Sequence, residues 1–186
     1  MRKLKLQMQM TLDGFIAGPH GEMDWMNLHW SDDLKDYVTK LTDPVDTIIL
    51  GKNLAQGFIP HWTEGLDQSE PLEGAKKMVE TPKVVFSKSL TNPEWERTYI
   101  ARGDLVEEIN ALKQKEGGDM IVYGGGRLVA SLIKENLIDE FHLFINPAAI
   151  GKGMPIFQEL TEKQNYILIT SKSFDCGVIV LIYIPH

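Results

Sequence analysis

Met120-Ile121-Val122-Tyr123-Gly124-Gly125-Gly126-Arg127-Leu128-Val129-Ala130-Ser131-Leu132-Ile133 reads in three parts. The run from Met120 to Tyr123 suits a short buried strand, the glycines make a turn, and Leu128, Leu132 and Ile133 recur at helical spacing. A strand feeding a helix through a tight turn is the building unit of an α/β sheet. The turn itself admits two readings. Glycines let backbone N–H groups approach an anion at the positive end of a helix dipole, with Arg127 adding charge, or they simply close a strand-to-helix connection. The stretch is no G-x-G-x-x-G fingerprint, because Val129 holds the third glycine's place, and it lacks the Lys-Ser/Thr ending of a P-loop.

Working outward, the same alternation recurs. Leu4, Leu6, Met8 and Met10 alternate with Lys5, Gln7 and Gln9, the period of a strand with two unlike faces. Thr11 to Trp30 has no lasting period and reads as a long surface loop, a common place for function. Ser31 is a candidate cap for a helix whose first turn holds Asp32 and Asp33, whose inward face holds Leu34, Tyr37, Val38 and Leu41, and which Pro44 closes. Val45 to Leu50 is a β-branched strand ended by Gly51, and Lys52 to Phe58 starts a short helix. Glu73 to Glu80 is helical, Pro82 to Ser87 and Thr98 to Ala101 are strands, and Asp104 caps a helix carrying Leu105, Ile109 and Leu112 that stops at Gly117-Gly118. Phe141 to Ile145 is a strand, Asn146 to Pro155 a loop, and Tyr166 to Ser173 with Val178 to Ile184 a hairpin around Asp175-Cys176-Gly177. The expected fold is an α/β domain over residues 1–186, with a mainly parallel central sheet flanked by helices and an antiparallel C-terminal hairpin.

Composition removes several classes of function. The 186 residues, 43% hydrophobic and 24% charged, form an ordinary globular composition able to bury a core. A net charge of −7 denies the chain an overall basic footprint for nucleic acid or anionic membrane, so an anionic ligand needs a local site. The apolar run Val178 to Ile184 is far below the ~20 residues of a membrane span. The single cysteine, Cys176, excludes an intrachain disulfide and makes a cytoplasmic setting the default expectation.

Few side-chain patterns point to chemistry. Gly51-Lys52-Asn53 follows a strand and opens a helix, and so forms either a second anion site or an ordinary turn beside a solvated lysine. Asp33 and Asp32 are the acid candidates, since a carboxylate at a helix start beside an apolar loop is tuned for proton donation if partly desolvated; dipole compensation is the other reading. The five histidines make no metal-ligand pair, no G-x-S-x-G elbow occurs, and Trp25, Trp30, Trp62 and Trp95 read as core or loop anchors.

In order and spacing these segments resemble the dihydrofolate reductase-like superfamily, in the branch of the C-terminal reductase domain of riboflavin biosynthesis. Five stretches carry the resemblance along nearly the whole chain: Thr11 to Gly18 with Met23-Asp24-Trp25; Ile48-Ile49-Leu50-Gly51-Lys52-Asn53; Val84 to Lys88; Tyr123 to Leu128; and Leu137 to Glu140 with Pro147 to Phe157. The resemblance implies NADPH as cofactor and hydride transfer to a small molecule, a pteridine or ribosylaminopyrimidine. It places Gln9, Ile16 and Ala17 beside the nicotinamide, and Gly51, Lys52 and Asn53 at the 2′-phosphate and pyrophosphate. Ser87 and Lys88 fall at the adenosine phosphate, and Tyr123, Gly124, Gly125, Gly126, Arg127 and Leu128 at the pyrophosphate. Asp33, or Asp32 in its stead, takes the place of the substrate-holding carboxylate, Trp25 lies near the same substrate, and no metal is implied. The pattern departs at Lys52 and Leu54, where the family's arginine and threonine would give bidentate and hydroxyl contacts to phosphate. Pairing through the C-terminal strands is implied, and Val178 to Ile182 would be an apolar edge unless covered in a homodimer. A cofactor-binding or regulatory module without turnover, and a structural protein without ligand, are the rival readings.

Overall fold

The computed structural model describes residues 1–26, 29–91 and 95–186. Asn27 and Leu28 of the expected first loop therefore lie outside the described residues. Eight strands form one sheet in the order β4-β3-β2-β5-β1-β6-β8-β7. They are β1 (Leu4–Met10), β2 (Val45–Gly51), β3 (Lys83–Phe86), β4 (Thr98–Ala101), β5 (Asp119–Gly124), β6 (Glu140–Ile145), β7 (Tyr166–Ser173) and β8 (Ile179–Pro185). Pairing is parallel from β4 to β6 and antiparallel at β6–β8 and β8–β7. The mainly parallel sheet with an antiparallel C-terminal hairpin is as expected.

Helices cover both faces. On one side α4 (Leu105–Gln114) and α5 (Gly126–Lys134) bury Ile109, Leu112, Val129, Leu132 and Ile133 against Leu4, Leu6, Met8 and Met10. On the other, α1 (Asp32–Thr42), α2 (Lys52–Leu66) and α3 (Ala75–Glu80) bury Leu34, Leu41, Ala55, Ile59 and Met78 against Ile48, Leu50, Ile121 and Phe144. Burying each of the Leu, Ile, Val, Met and Phe side chains among them contributes about 1.5–3 kcal/mol. The two-sided cover buries the polar face of β1 as well, Lys5 and Gln7 included, because a central parallel strand has helices over both faces.

Several ends differ from expectation for identifiable reasons. Helix α2 continues past Phe58 to Leu66 with Pro60 inside it. The missing Pro60 N–H forfeits only the bond to Gln56, a surface residue, while Ala55 and Ile59 hold the helix on the sheet. Helix α3 starts at Ala75 because Gly74 turns the chain at φ +81. Asp104 caps α4 as read, its carboxylate accepting from the Val106 and Glu107 amides at 2.9 and 3.1 Å. Ser31 does not cap α1 with its side chain; the hydroxyl donates to the Asp33 carboxylate instead. The expected apolar edge at Val178 to Ile182 is also corrected: β8 lies between β6 and β7, and β7 is the edge, with Ile167, Leu168 and Ile169 each 43–55% exposed.

Candidate active site

Strands β2 and β5 are neighbours, with Leu50 in register with Gly124, so the helices that follow them start side by side. The N-caps of α2 and α5 are Gly51 and Gly125, neither with a side chain to satisfy the first helical amides. A Cβ on Gly51 would stand 3.1 Å from the Gly125 nitrogen and 3.4 Å from Leu128 Cβ, so a side chain there would require the neighbouring turn to give by a few tenths of an ångström. Gly124, with φ +140, makes the turn in a conformation that favours glycine, and the Gly124–Gly125 peptide is cis. The outer side of Gly125 is open, with nothing within 4 Å of a Cβ built there. The two glycine motifs therefore form one cradle with two positive helix ends.

Cations gather on the α2 side of this cradle. Lys52, first residue of α2, donates from Nζ to Ser89 Oγ at 3.0 Å. Ser87 closes the turn after β3, its hydroxyl accepting from the Ser89 and Leu90 amides at 3.2 and 2.9 Å. Arg102, just beyond β4, reaches the Leu90 carbonyl at 2.5 Å. Asn53, Lys88 and Arg127 are exposed around the same rim. Sequence reading missed Ser89 and Arg102; only the parallel pairing of β3 with β4 brings Arg102 to this turn.

The far wall comes from β1 and the first loop. Gln9 accepts at 2.8 Å from the side-chain amide of fully buried Asn146, a contact between distant residues that sequence reading missed. Ile16 packs on the start of α5, where a Cβ on Gly126 would meet its Cδ1 at 2.8 Å. The Ile16 amide donates to the Met154 carbonyl and the Met154 amide to the Ala17 carbonyl, both at 2.9 Å. Thr11 and Leu12 donate to Phe15 and Ala148 carbonyls, and the Asp13 carboxylate accepts from the Ile150 and Gly151 amides. A side-chain hydrogen bond with Thr11, together with those loop amides, holds Asp13 below its ordinary pKa. The stretch from Thr11 to Gly18, read as the start of a long surface loop, is thus tied to the 146–155 loop. Trp25, farther along, is half-buried with its indole N–H sealed from solvent.

Asp33 is placed differently from expectation. Its carboxylate is exposed and accepts from Ser31 Oγ, from its neighbour Leu34 N at 2.8 Å and from Asp175 N at 3.2 Å. The Ser31 bond, with the two backbone amides, holds the carboxyl below its usual range. The desolvation that would tune it as a proton donor is outweighed by these bonds, because α1 presents Leu34, not Asp33, to the core. Asp32 is exposed as well and pairs with Lys35. The ring of Tyr123 stacks on Phe58 of α2, with centroids 5.4 Å apart.

An α/β sheet with paired glycine turns at the carboxyl ends of adjacent strands is the architecture of a dihydrofolate reductase-like protein. Residues 2–180 match the family model of the RibD C-terminal domain, and the chain belongs to that family. It is 30% identical over 182 residues, 98% of this chain and 94% of the other, to the uncharacterized protein YyaP of Bacillus subtilis (strain 168). A putative riboflavin biosynthesis protein of Shewanella sp. PV-4 superposes over 100% of this chain and 99% of its own with TM-score 0.76 at 24% identity. The dihydrofolate reductase of Enterococcus faecalis, complexed with NADP(H) and RAB-propyl, gives TM-score 0.61 at 18% identity, covering 99% and 96%. The fold is thus of the reductase type. No helix among the described residues is long and apolar enough to cross a membrane.

Proposed function

We propose that the protein is an NADPH-dependent reductase acting on a C=N or related bond of a pteridine or ribosylaminopyrimidine. The observation that carries this reading is the joined cradle of Gly51 and Gly124 to Gly126, with Lys52 and Ser89 already in contact at its edge. An extended dinucleotide needs two phosphate sites and a flat apolar slot between them. The open side of Gly125 and the bare N-caps of α2 and α5 fit such phosphates. Lys52 with Ser87, Ser89 and Lys88 would hold the ribose phosphate, Arg127 and the α5 amides the pyrophosphate. Gln9, Ile16 and Ala17 would present their backbone and apolar surface to the nicotinamide. When bound, the nicotinamide supplies the hydride. The protein's part is to orient the two rings and keep water out, through Ile16 and the tied first loop.

The riboflavin-branch membership and the NADP(H) complex of the dihydrofolate reductase support the cofactor and the reaction class. A homodimer formed along β7 belongs to the same reading, since its exposed Ile167, Leu168 and Ile169 are an edge in need of cover. One observation favours the alternative of a cofactor-binding module without turnover: Asp33 is exposed and its hydrogen bonds hold its carboxyl below the usual range, the opposite of the tuning a proton donor calls for. Calorimetric titration with NADPH and NADH, followed by NADPH oxidation assays with pteridines and ribosylaminopyrimidines, separates the two. Binding with turnover supports the reductase, binding without turnover the module, and failure of both dinucleotides to bind removes the reading.

A further inference from the structure

An open hollow of about 520 Å³ lies at the amino ends of β2 and β3, lined by Arg2, Asp46 and Thr47 on the sheet side and by Lys77, Glu80 and Thr81 on the α3 side. That volume is within the range of small-molecule sites, about 300–1,000 Å³. Val45 starts β2 at the hollow and Gly51 ends it at the cradle, so about 20 Å of strand separates the hollow from the cofactor rim. The proposed reductase chemistry leaves it unused.

Arg2 is a charged group whose side chain is only 6% exposed, and burying a charge is costly unless its hydrogen bonds are met. Its Nε donates to the Gly118 carbonyl at 2.7 Å, and its Nη2 donates to Thr47 Oγ1 at 2.7 Å and to the Asp46 carboxylate. Nη1 has no partner among the described residues and is not sealed from solvent, so it is the nitrogen that meets the hollow. The guanidinium is fixed in place. Asp46 is held in turn, accepting from Thr47 Oγ1 at 2.9 Å and from the Gly118 amide at 2.6 Å.

The cations around the hollow have carbonyls for partners. Lys77 Nζ donates to the Val45 and Asp43 carbonyls at 2.8 and 3.4 Å, which leaves one of its three N–H donors. Lys83 Nζ donates to the Val79 and Thr81 carbonyls at 2.6 and 2.8 Å, and Arg97 to the Glu80 carbonyl at 3.4 Å. None of these three forms an ion pair among the described residues. Burial, with the Arg97 charge added, pushes Lys83 from 10.5 down to about 8, as befits an ammonium without a counter-ion. On the acidic side, Asp46 is neutralised by Arg2, and the exposed Glu80 carboxylate stands at the rim. In a chain of net charge −7 this is a local excess of positive charge.

We propose that the hollow is a second ligand site, for a small metabolite bearing a single carboxylate or phosphate group that seats on Arg2 Nη1 and the Lys77 ammonium. Charge-assisted bonds from two cations, one of them already immobilised, suit an oxyanion. Glu80 at the rim disfavours a ligand with further anionic groups. The site is independent of the reductase reading.

The test is thermal denaturation of the full chain at constant ionic strength, titrated with inorganic phosphate or acetate, with chloride as the control. At least one of the two oxyanions raises the melting temperature saturably while chloride does not, and the better one tells a phosphate ligand from a carboxylate. Lys77→Gln weakens that oxyanion about tenfold, and Glu80→Gln tightens it about threefold or more. Side-chain NMR of Lys83 reads the same event, because a bound anion raises the lysine's pKa. Where Lys77→Gln does not fold, Glu80→Gln decides, since the Glu80 carboxylate makes no bond among the described residues. Three results overturn the proposal: no saturable response to either oxyanion, an equal response to chloride, or a response that Glu80→Gln leaves unchanged.

Discussion

Gly51 and Gly125, 74 positions apart in the chain, touch so closely that a methyl group on the first would lie 3.1 Å from the amide nitrogen of the second. Gly51 has φ −81, which any residue adopts, so space and not backbone strain is the constraint. Gly51→Ala is expected to push the α5 turn outward, destabilising the fold by about 1–3 kcal/mol and weakening NADPH. Thermal denaturation and calorimetry on the same preparation check both effects; an unshifted melting temperature would show that the turns have slack.

Lys52 supplies a point charge and a donor at the expected 2′-phosphate position. Lys52→Ala should weaken NADPH about tenfold or more and leave NADH nearly unchanged, since only NADPH carries that phosphate. Paired titrations read the ratio. Equal losses for the two cofactors would move Lys52 from the ribose phosphate to the pyrophosphate.

Asp33 ties the start of α1 to the β7–β8 turn through the Asp175 amide. Asp33→Asn should therefore lower thermal stability while changing kcat/KM less than about tenfold. A proton-delivering residue would cost on the order of 10²–10⁴. Steady-state kinetics with the acceptor found in the screen decides; a loss of that larger size restores the acid role.

Glu140 and His142 are joined at 2.6 Å, and that bond, reinforced by Lys5 and Lys3, draws the Glu140 pKa down to about 2 from 4.5. Between those values the unfolded chain binds more protons than the native one. Stability from this group is complete above about pH 4.5 and falls as the pH drops toward 2. Urea denaturation across that window should show a shallower acid loss for Glu140→Gln than for the parent.

The β7 edge exposes Ile167, Leu168 and Ile169. Ile169→Glu is expected to convert a dimer into a monomer in light scattering at micromolar concentration. A parent chain already monomeric there would remove the homodimer from the reading.

Much of the fold was legible because its causes are local. The strand and helix of Met120 to Ile133, the Asp104 cap and the 174–178 turn follow from periodicity, capping and turn chemistry within a few residues. The two glycine turns could be read as anion sites singly, on the same grounds. The run of α2 beyond Phe58 was not legible, because it rests on tertiary packing that outweighs the one bond lost at Pro60. The alternation of Lys5 and Gln7 with leucines in β1 reported two unlike faces but could not say which elements cover them.

By itself, then, the sequence determined the order of strands and helices, the glycine turns at two strand ends, and membership of a reductase-like family. Only the tertiary structure decided that β5 inserts between β2 and β1, pressing Gly51 against Gly125, and that Arg2 is buried against Asp46. It also turned Asp33 outward toward Asp175. The division has a physical cause: local conformation depends on near neighbours in the chain, whereas strand order, cover and burial depend on pairings between distant segments.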